Sequence, residues 1–73
     1  MLLLKDLKDI VSSDFTLMGD VDNEEHHLRD ICFDDKKVAP YLEYEVIDIF
    51  HHGWQSNWDS FETEMVIDIR KPQ

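Results

Sequence analysis

The sequence predicts an α+β domain, with one N-terminal helix packed on a three- or four-stranded, mostly antiparallel sheet. Three observations predict it. Leu3, Leu4, Leu7, Ile10 and Val11 recur at helical spacing near the start. Met65, Ile67 and Ile69 alternate with Glu64, Val66, Asp68 and Arg70 near the end, the period-two pattern of a strand with one buried face. Between them, short apolar runs are punctuated by Gly19, by Asp34-Asp35-Lys36-Lys37 and by Pro40.

The first element is a helix over residues 3–11, with Lys5, Asp6, Lys8 and Asp9 facing solvent and Ser12, Ser13 and Asp14 ending it. So short a helix is marginal alone and has to dock on a sheet. Phe15 to Met18 reads as the first strand, stopped by Gly19, and residues 28–33 as the second, with Ile31 and Phe33 on its inner face; a short helix over residues 24–32 is the competing reading, with the strand favoured. Pro40 biases Ala39 away from helical geometry, so residues 39–42 form a tight turn. Residues 45–51 make the third strand, with Ile47 and Ile49 on one face and Val46, Asp48 and Phe50 on the other; residues 64–70 make the fourth. The segment from His52 to Thr63 is long for a hairpin connection. It places Trp54, Trp58 and Phe61 at i, i+4 and i+7, so one or two helical turns would align all three. The expected core is Leu3, Leu7, Ile10, Val11, Phe15, Leu17, Ile31, Phe33, Leu42, Ile47, Ile49, Met65, Ile67 and Ile69.

Seventy-three residues make one domain, 1–73, with a thin stability margin. A hydrophobic content of 42% excludes a disordered acidic tail. A single cysteine, Cys32, excludes an internal disulfide framework and fits a reducing compartment. No apolar run approaches the roughly 20 residues that span a bilayer, and Lys5 and Asp6 interrupt the opening leucines too early for a signal-peptide core. A cytoplasmic protein is expected.

Charge is the most informative property. Asp20, Asp22, Glu24, Glu25, Asp30, Asp34 and Asp35 face one basic residue before Lys36, Arg29, and supply −6 of the formal −10. Such a chain repels nucleic acid and acidic membranes and attracts basic surfaces at long range. The seven basic residues form no positive stripe, so direct nucleic-acid binding is not expected.

Other chemistries lack their motifs. His26-His27 and His51-His52 offer at most one ligand per pair to a given site, since neighbours on a strand face opposite ways. A calcium loop starting at Asp20 would need Gly at its sixth position and Glu at its twelfth, where Glu25 and Ile31 stand. No Gly-rich phosphate loop or nucleophile elbow is present. Neither metal, cofactor nor catalysis is expected. The acidic block and the large aromatics remain: a carboxylate field steers a basic partner, and buried aromatics slow its departure.

Two resemblances add to this reading. The Leu-Lys-Asp-Leu segment leading into Ser-Asp-Phe, then Tyr41-Leu-Glu-Tyr-Glu-Val-Ile-Asp-Ile and the later Met-Val-Ile-Asp-Ile, resembles small acidic α+β proteins carried by phages and prophages of Gram-positive bacteria. Asp6-Leu7, Ile10 and Asp14-Phe15-Thr16, with Phe50-His-His-Gly-Trp54, Trp58 and Phe61, are similar to a compact anti-CRISPR inhibitor of type II effector nucleases. That family presents carboxylates where DNA phosphates would lie, and the resemblance implies the same mode of action here.

The expected function is therefore a phage-derived inhibitor acting in the bacterial host cell. It would occupy a basic nucleic-acid-binding surface of a bacterial defence protein, a CRISPR effector nuclease first among them, by DNA mimicry and steric occlusion. Asp20, Asp22, Glu24, Glu25, Asp30, Asp34 and Asp35 would stand in for phosphates, while Trp54 and Trp58 anchor the complex. The alternative is a non-enzymatic phage accessory or assembly protein that self-associates as a homo-oligomer through the Trp54/Trp58 loop.

Overall fold

Four strands carry the architecture: β1 (Phe15–Gly19), β2 (His27–Ile31), β3 (Glu45–Asn57) and β4 (Ser60–Arg70). The computed structural model describes residues 1–72. The strands form one mixed sheet in the order β2-β1-β4-β3. Pairs β1/β2 and β3/β4 are antiparallel, whereas β1 and β4 meet in parallel at the centre, Leu17 opposite Ile67. The only helical pieces among the described residues are 3-10 turns at Leu4–Leu7 and Lys36–Tyr41.

The expected N-terminal helix is therefore absent, and so is the α+β class. The backbone of this segment finds partners elsewhere. Leu4 N–H donates to Tyr44 O at 2.9 Å, Lys5 N–H to Leu42 O at 2.9 Å, and Val46 N–H to Leu2 O at 2.8 Å. Leu3 bridges Glu45, and Asp6 Oδ2 accepts from Leu3 N–H at 2.9 Å. A nine-residue helix is too short to outweigh those bonds. One tight turn still buries Leu4 and Leu7, which are three residues apart, and leaves Ile10 77% exposed.

The core lies on one sheet face. Phe15 and Leu17 of β1, Ile31 of β2, and Ile67 and Ile69 of β4 pack under Leu4, Leu7, Val21, Val38 and Tyr41 from the connecting segments. Phe15 and Phe33 stack with centroids 4.8 Å apart, and Tyr41 meets Tyr44 edge-on at 5.1 Å. Val11, Phe33, Leu42 and Met65 pack around this cluster, half-buried. Ile47 and Ile49 depart from the expectation and stay exposed. An irregularity between Val46 and Asp48 breaks their shared face, so that Val46 pairs with Ile69 and Ile49 with Ile67.

The segment 52–63 is no helical or looped connection. β3 and β4 continue as a hairpin beyond the start of β1, and Asn57 pairs with Ser60 around a two-residue turn, Trp58-Asp59. Asn57 Oδ1 accepts from Asp59 N–H at 3.1 Å, the local bond that lets asparagine close a turn. The resulting arm gives the molecule extents of 44 × 28 × 22 Å.

Candidate interaction surface

Among the described residues no layer covers the second sheet face. Thr16 (1% exposed) and Val66 (4%) are nevertheless buried there, because Met18, Arg29, Phe50 and Glu64 stand around them and line a groove of about 180 Å³. Thr16 Oγ1 donates to Glu64 Oε2 at 2.7 Å, and Arg29 lies 3.7 Å from Glu64 Oε1. Arg29 reaches this position through a bulge: Arg29 and Asp30 together oppose Thr16, and Asp30 adopts a φ of 51°.

The seven carboxylates of the acidic block fall into separate groups. Asp20 follows Gly19 where β1 and β4 finish, and its Oδ2 accepts from Lys71 N–H at 2.7 Å. Asp22 follows closely; its own N–H donates to Tyr41 Oη at 2.9 Å while its side chain is exposed. Glu24 and Glu25 crown the connection to β2, which Asn23 fastens by donating to His27 O at 2.7 Å. β2 then runs back antiparallel to β1, so Asp30 lies towards the opposite end of the sheet, in a recess with Trp54, Glu62 and Thr63. Asp34 borders a recess with Lys8 and Asp9, and Asp35 caps the second 3-10 turn, accepting from Lys37 N–H at 2.9 Å. The block is contiguous in sequence but is not one surface.

A different set of acids converges instead. Asp48 and Asp68 are cross-strand partners on the open face, and Asp68 Oδ1 lies close beside Gly19, next to Asp20. Burial holds the Asp68 carboxyl above its ordinary range, and the charges of Asp48 and Asp20 push it further the same way. The sequence carried a signal for this pair: Ile47-Asp48-Ile49 and Ile67-Asp68-Ile69 are the same tripeptide in two paired strands. Among the described residues the ion pairs are Lys5–Glu43, Arg29–Glu64 and Arg70–Glu45, so none neutralises the Asp20–Glu25 run or the Asp48/Asp68 pair.

The aromatic residues occupy the arm, without sharing one stripe. Trp54 (39% exposed) stands opposite Glu62 and stacks with His52 at 5.8 Å. Phe61 (70%) pairs with Gln55 one position along, hence on the other face, and Trp58 (86%) occupies the tip. Strand geometry separates what helical spacing would have aligned.

Chemical options are narrow. His26 Nδ1 contacts Val21 O at 3.1 Å and His27 Nδ1 contacts Glu25 O, so both fasten the turn in which they sit. Cys32 borders a recess whose lining includes Lys8, Ser12 and Ser13 but no histidine. Among the described residues no three His, Cys, Asp or Glu side chains are grouped to hold a metal ion, and no helix is long and apolar enough to cross a membrane. Compared with protein-family models, curated proteins and solved structures, the chain matches none.

Proposed function

We propose that this chain is a non-enzymatic binding module that occupies a cationic, nucleic-acid-binding surface of another protein. One observation carries the reading: a two-stranded arm holds Trp58 and Phe61 out in solvent on a molecule of net charge −10. Large exposed aromatics cost solvation unless something covers them, and they are the side chains on which binding energy concentrates. The unpaired carboxylates at the end of β1 and β4, from Asp20 to Glu25 with Asp48 and Asp68, supply the long-range attraction. The mechanism is occlusion: charge draws the module in, the arm anchors it, and nucleic acid is excluded.

The sequence likeness to anti-CRISPR inhibitors makes a guide-loaded type II effector nuclease of a Gram-positive bacterium the first partner to test. The assay measures displacement of labelled DNA from the effector by the purified chain at low and high salt. The native chain should displace DNA, less effectively as salt rises. Changing Asp22, Glu24 and Glu25 together to lysine should abolish displacement. Trp58→Ala should weaken it about thirtyfold, the effect of losing one interface hot spot of ~2 kcal/mol. Failure to displace DNA at saturation would remove this effector as the target. If pull-down from a bacterial lysate also returned no basic nucleic-acid-binding protein, the whole reading would fall.

A further inference from the structure

β3 is an edge strand, and most of its outer side is unpaired. At its start the edge is occupied, since Leu3 bridges Glu45 and Val46 N–H donates to Leu2 O. Among the described residues no strand lies beyond it from Ile47 to Asn57. The direction of its amides follows from one bond: Ile49 N–H is taken by Asp48 Oδ1 at 2.9 Å and therefore does not serve the β4 ladder. By the alternation of an antiparallel pair, Ile49, His51 and Gly53 turn their N–H and C=O groups outward.

Exposed edges are usually blunted with lysine, proline or inward charge. This one has none of the first two, and its bulges lie only at its two ends, between Val46 and Asp48 and between Gln55 and Asn57. Ile47 to Asn57 reads Ile-Asp-Ile-Phe-His-His-Gly-Trp-Gln-Ser-Asn, with Asp48 its only formal charge in a chain of net −10. It is the stretch where two copies of this protein repel each other least. Exposed apolar side chains gather on and beside it: Ile47, Ile49 and Trp54 on β3, Trp58 at the turn and Phe61 on β4.

We infer that two copies of the chain pair antiparallel through the free edges of β3, centred on His52, to form one continuous eight-stranded sheet. The register follows from the boundaries. The free edge runs from Ile47 to Asn57, and His52 is its midpoint. Pairing about that point faces Phe50 of each copy with Trp54 of the other on the open face, a favourable cross-strand aromatic pair. Ile49 faces Gln55, and His51 faces Gly53. Asp48 meets Ser56 and so avoids a like charge. Beyond this regular stretch each copy carries a bulge, and the edge ends with Trp58 of one copy towards the exposed Met1 and Leu2 of the other. Phe61 stays free, so the dimer retains part of the arm for other contacts. The inference is independent of the partner proposed above.

Sedimentation equilibrium of the full chain, run from low micromolar to millimolar concentration, should rise to twice the 8.7 kDa chain mass. His51→Pro removes an outward N–H that the monomer does not use, a change that edge strands tolerate. It should weaken association about tenfold or more through lost ladder bonds while leaving the far-UV circular dichroism unchanged. His52→Cys in a Cys32→Ser background tests the register without relying on proline. The two thiols would face each other across a non-hydrogen-bonded pair, with Cα atoms about 4.5 Å apart, within disulfide reach. They should cross-link far faster than those of Asp59→Cys in the same background. A mass that stays at one chain throughout overturns the inference. So does a dimer whose His52→Cys variant cross-links no faster than Asp59→Cys.

Discussion

Replacing Gly19 with alanine should remove a large share of this domain's stability, whereas the same change at Gly53 should leave it almost untouched. Gly19 has a φ of 99°, a region that costs an L-residue roughly 1–2 kcal/mol. A Cβ there would lie 2.3 Å from Ile69 O and 2.5 Å from Asp68 Oδ1. The first of these is backbone in the central strand and also accepts from Asp20 N–H at 3.0 Å. Relief therefore means opening the end of the β1/β4 pair, at about 1 kcal/mol for each ladder bond lost. With two such bonds lost, the total is about 3–4 kcal/mol. A domain of 73 residues has on the order of 4–11 kcal/mol to lose. At Gly53 the added Cβ meets the Phe61 ring at 2.7 Å, but that ring is 70% exposed and free to turn aside. Removing a strand glycine also recovers about 0.5–1 kcal/mol, so the net change should stay within ~1 kcal/mol. With a urea m-value of about 1 kcal/mol/M, the Gly19→Ala midpoint should drop by about 3 M. Equal midpoints for the two variants would refute the reasoning, because the positive φ and the backbone obstacle at Gly19 have no counterpart at Gly53.

Further outcomes follow from the same geometry. Asp68 has a folded pKa raised above its ordinary 3.8, so the folded state holds its proton more tightly than the unfolded state does. Its contribution favours folding below the ordinary value and is lost as pH rises through the raised one. Thermal melts of Asp68→Asn at neutral pH should therefore exceed the native chain, with the gap closing on acidification. Phe15→Ala should cost about 3–5 kcal/mol, enough to leave a large unfolded fraction by circular dichroism, since Phe15 is 1% exposed at the centre of the core. Thr16→Val removes the donor to Glu64, whose remaining partner is Arg29 at 3.7 Å. Chemical denaturation should register a loss of about 1–3 kcal/mol, and a neutral result would mean that Glu64 finds water instead.

Strands with one buried face were legible, because alternation survives translation into structure: Phe15 and Leu17, then Ile67 and Ile69, lie where their spacing put them. The N-terminal segment was not. Apolar residues at i, i+3 and i+4 (Leu7, Ile10 and Val11) suit a helix, but a single 3-10 turn satisfies Leu4 and Leu7 equally well, and the deciding bonds run to Tyr44 and Leu42, far along the chain. The arm was hidden for a related reason. Gly53 and the polar run from Gln55 to Asn57 break the apolar alternation, and the tryptophans happen to repeat at four residues. Val21, Val38 and Tyr41 are buried from turns, where no periodicity operates. The acidic block illustrates the converse problem. Nearness in sequence promised a single patch, but the reversal of direction between β1 and β2 sends Asp20 and Asp30 towards opposite ends. Pairing of β3 with β4 assembles Asp48 and Asp68, two acids the charge run never included.

The parallel contact between β1 and β4 constrains how the chain acquires its shape. Thr16 must find Val66, with β2, the second 3-10 turn and all of β3 lying between them. The hairpin of β3 and β4 can zip locally, yet the hydrophobic interior closes only after that distant encounter, which carries a large loop-closure entropy. Until then Phe15, Leu17 and Ile67 remain wet beside an uncovered strand margin. Refolding should accordingly be slow for so small a protein, and its chief competitor is the association of half-formed molecules.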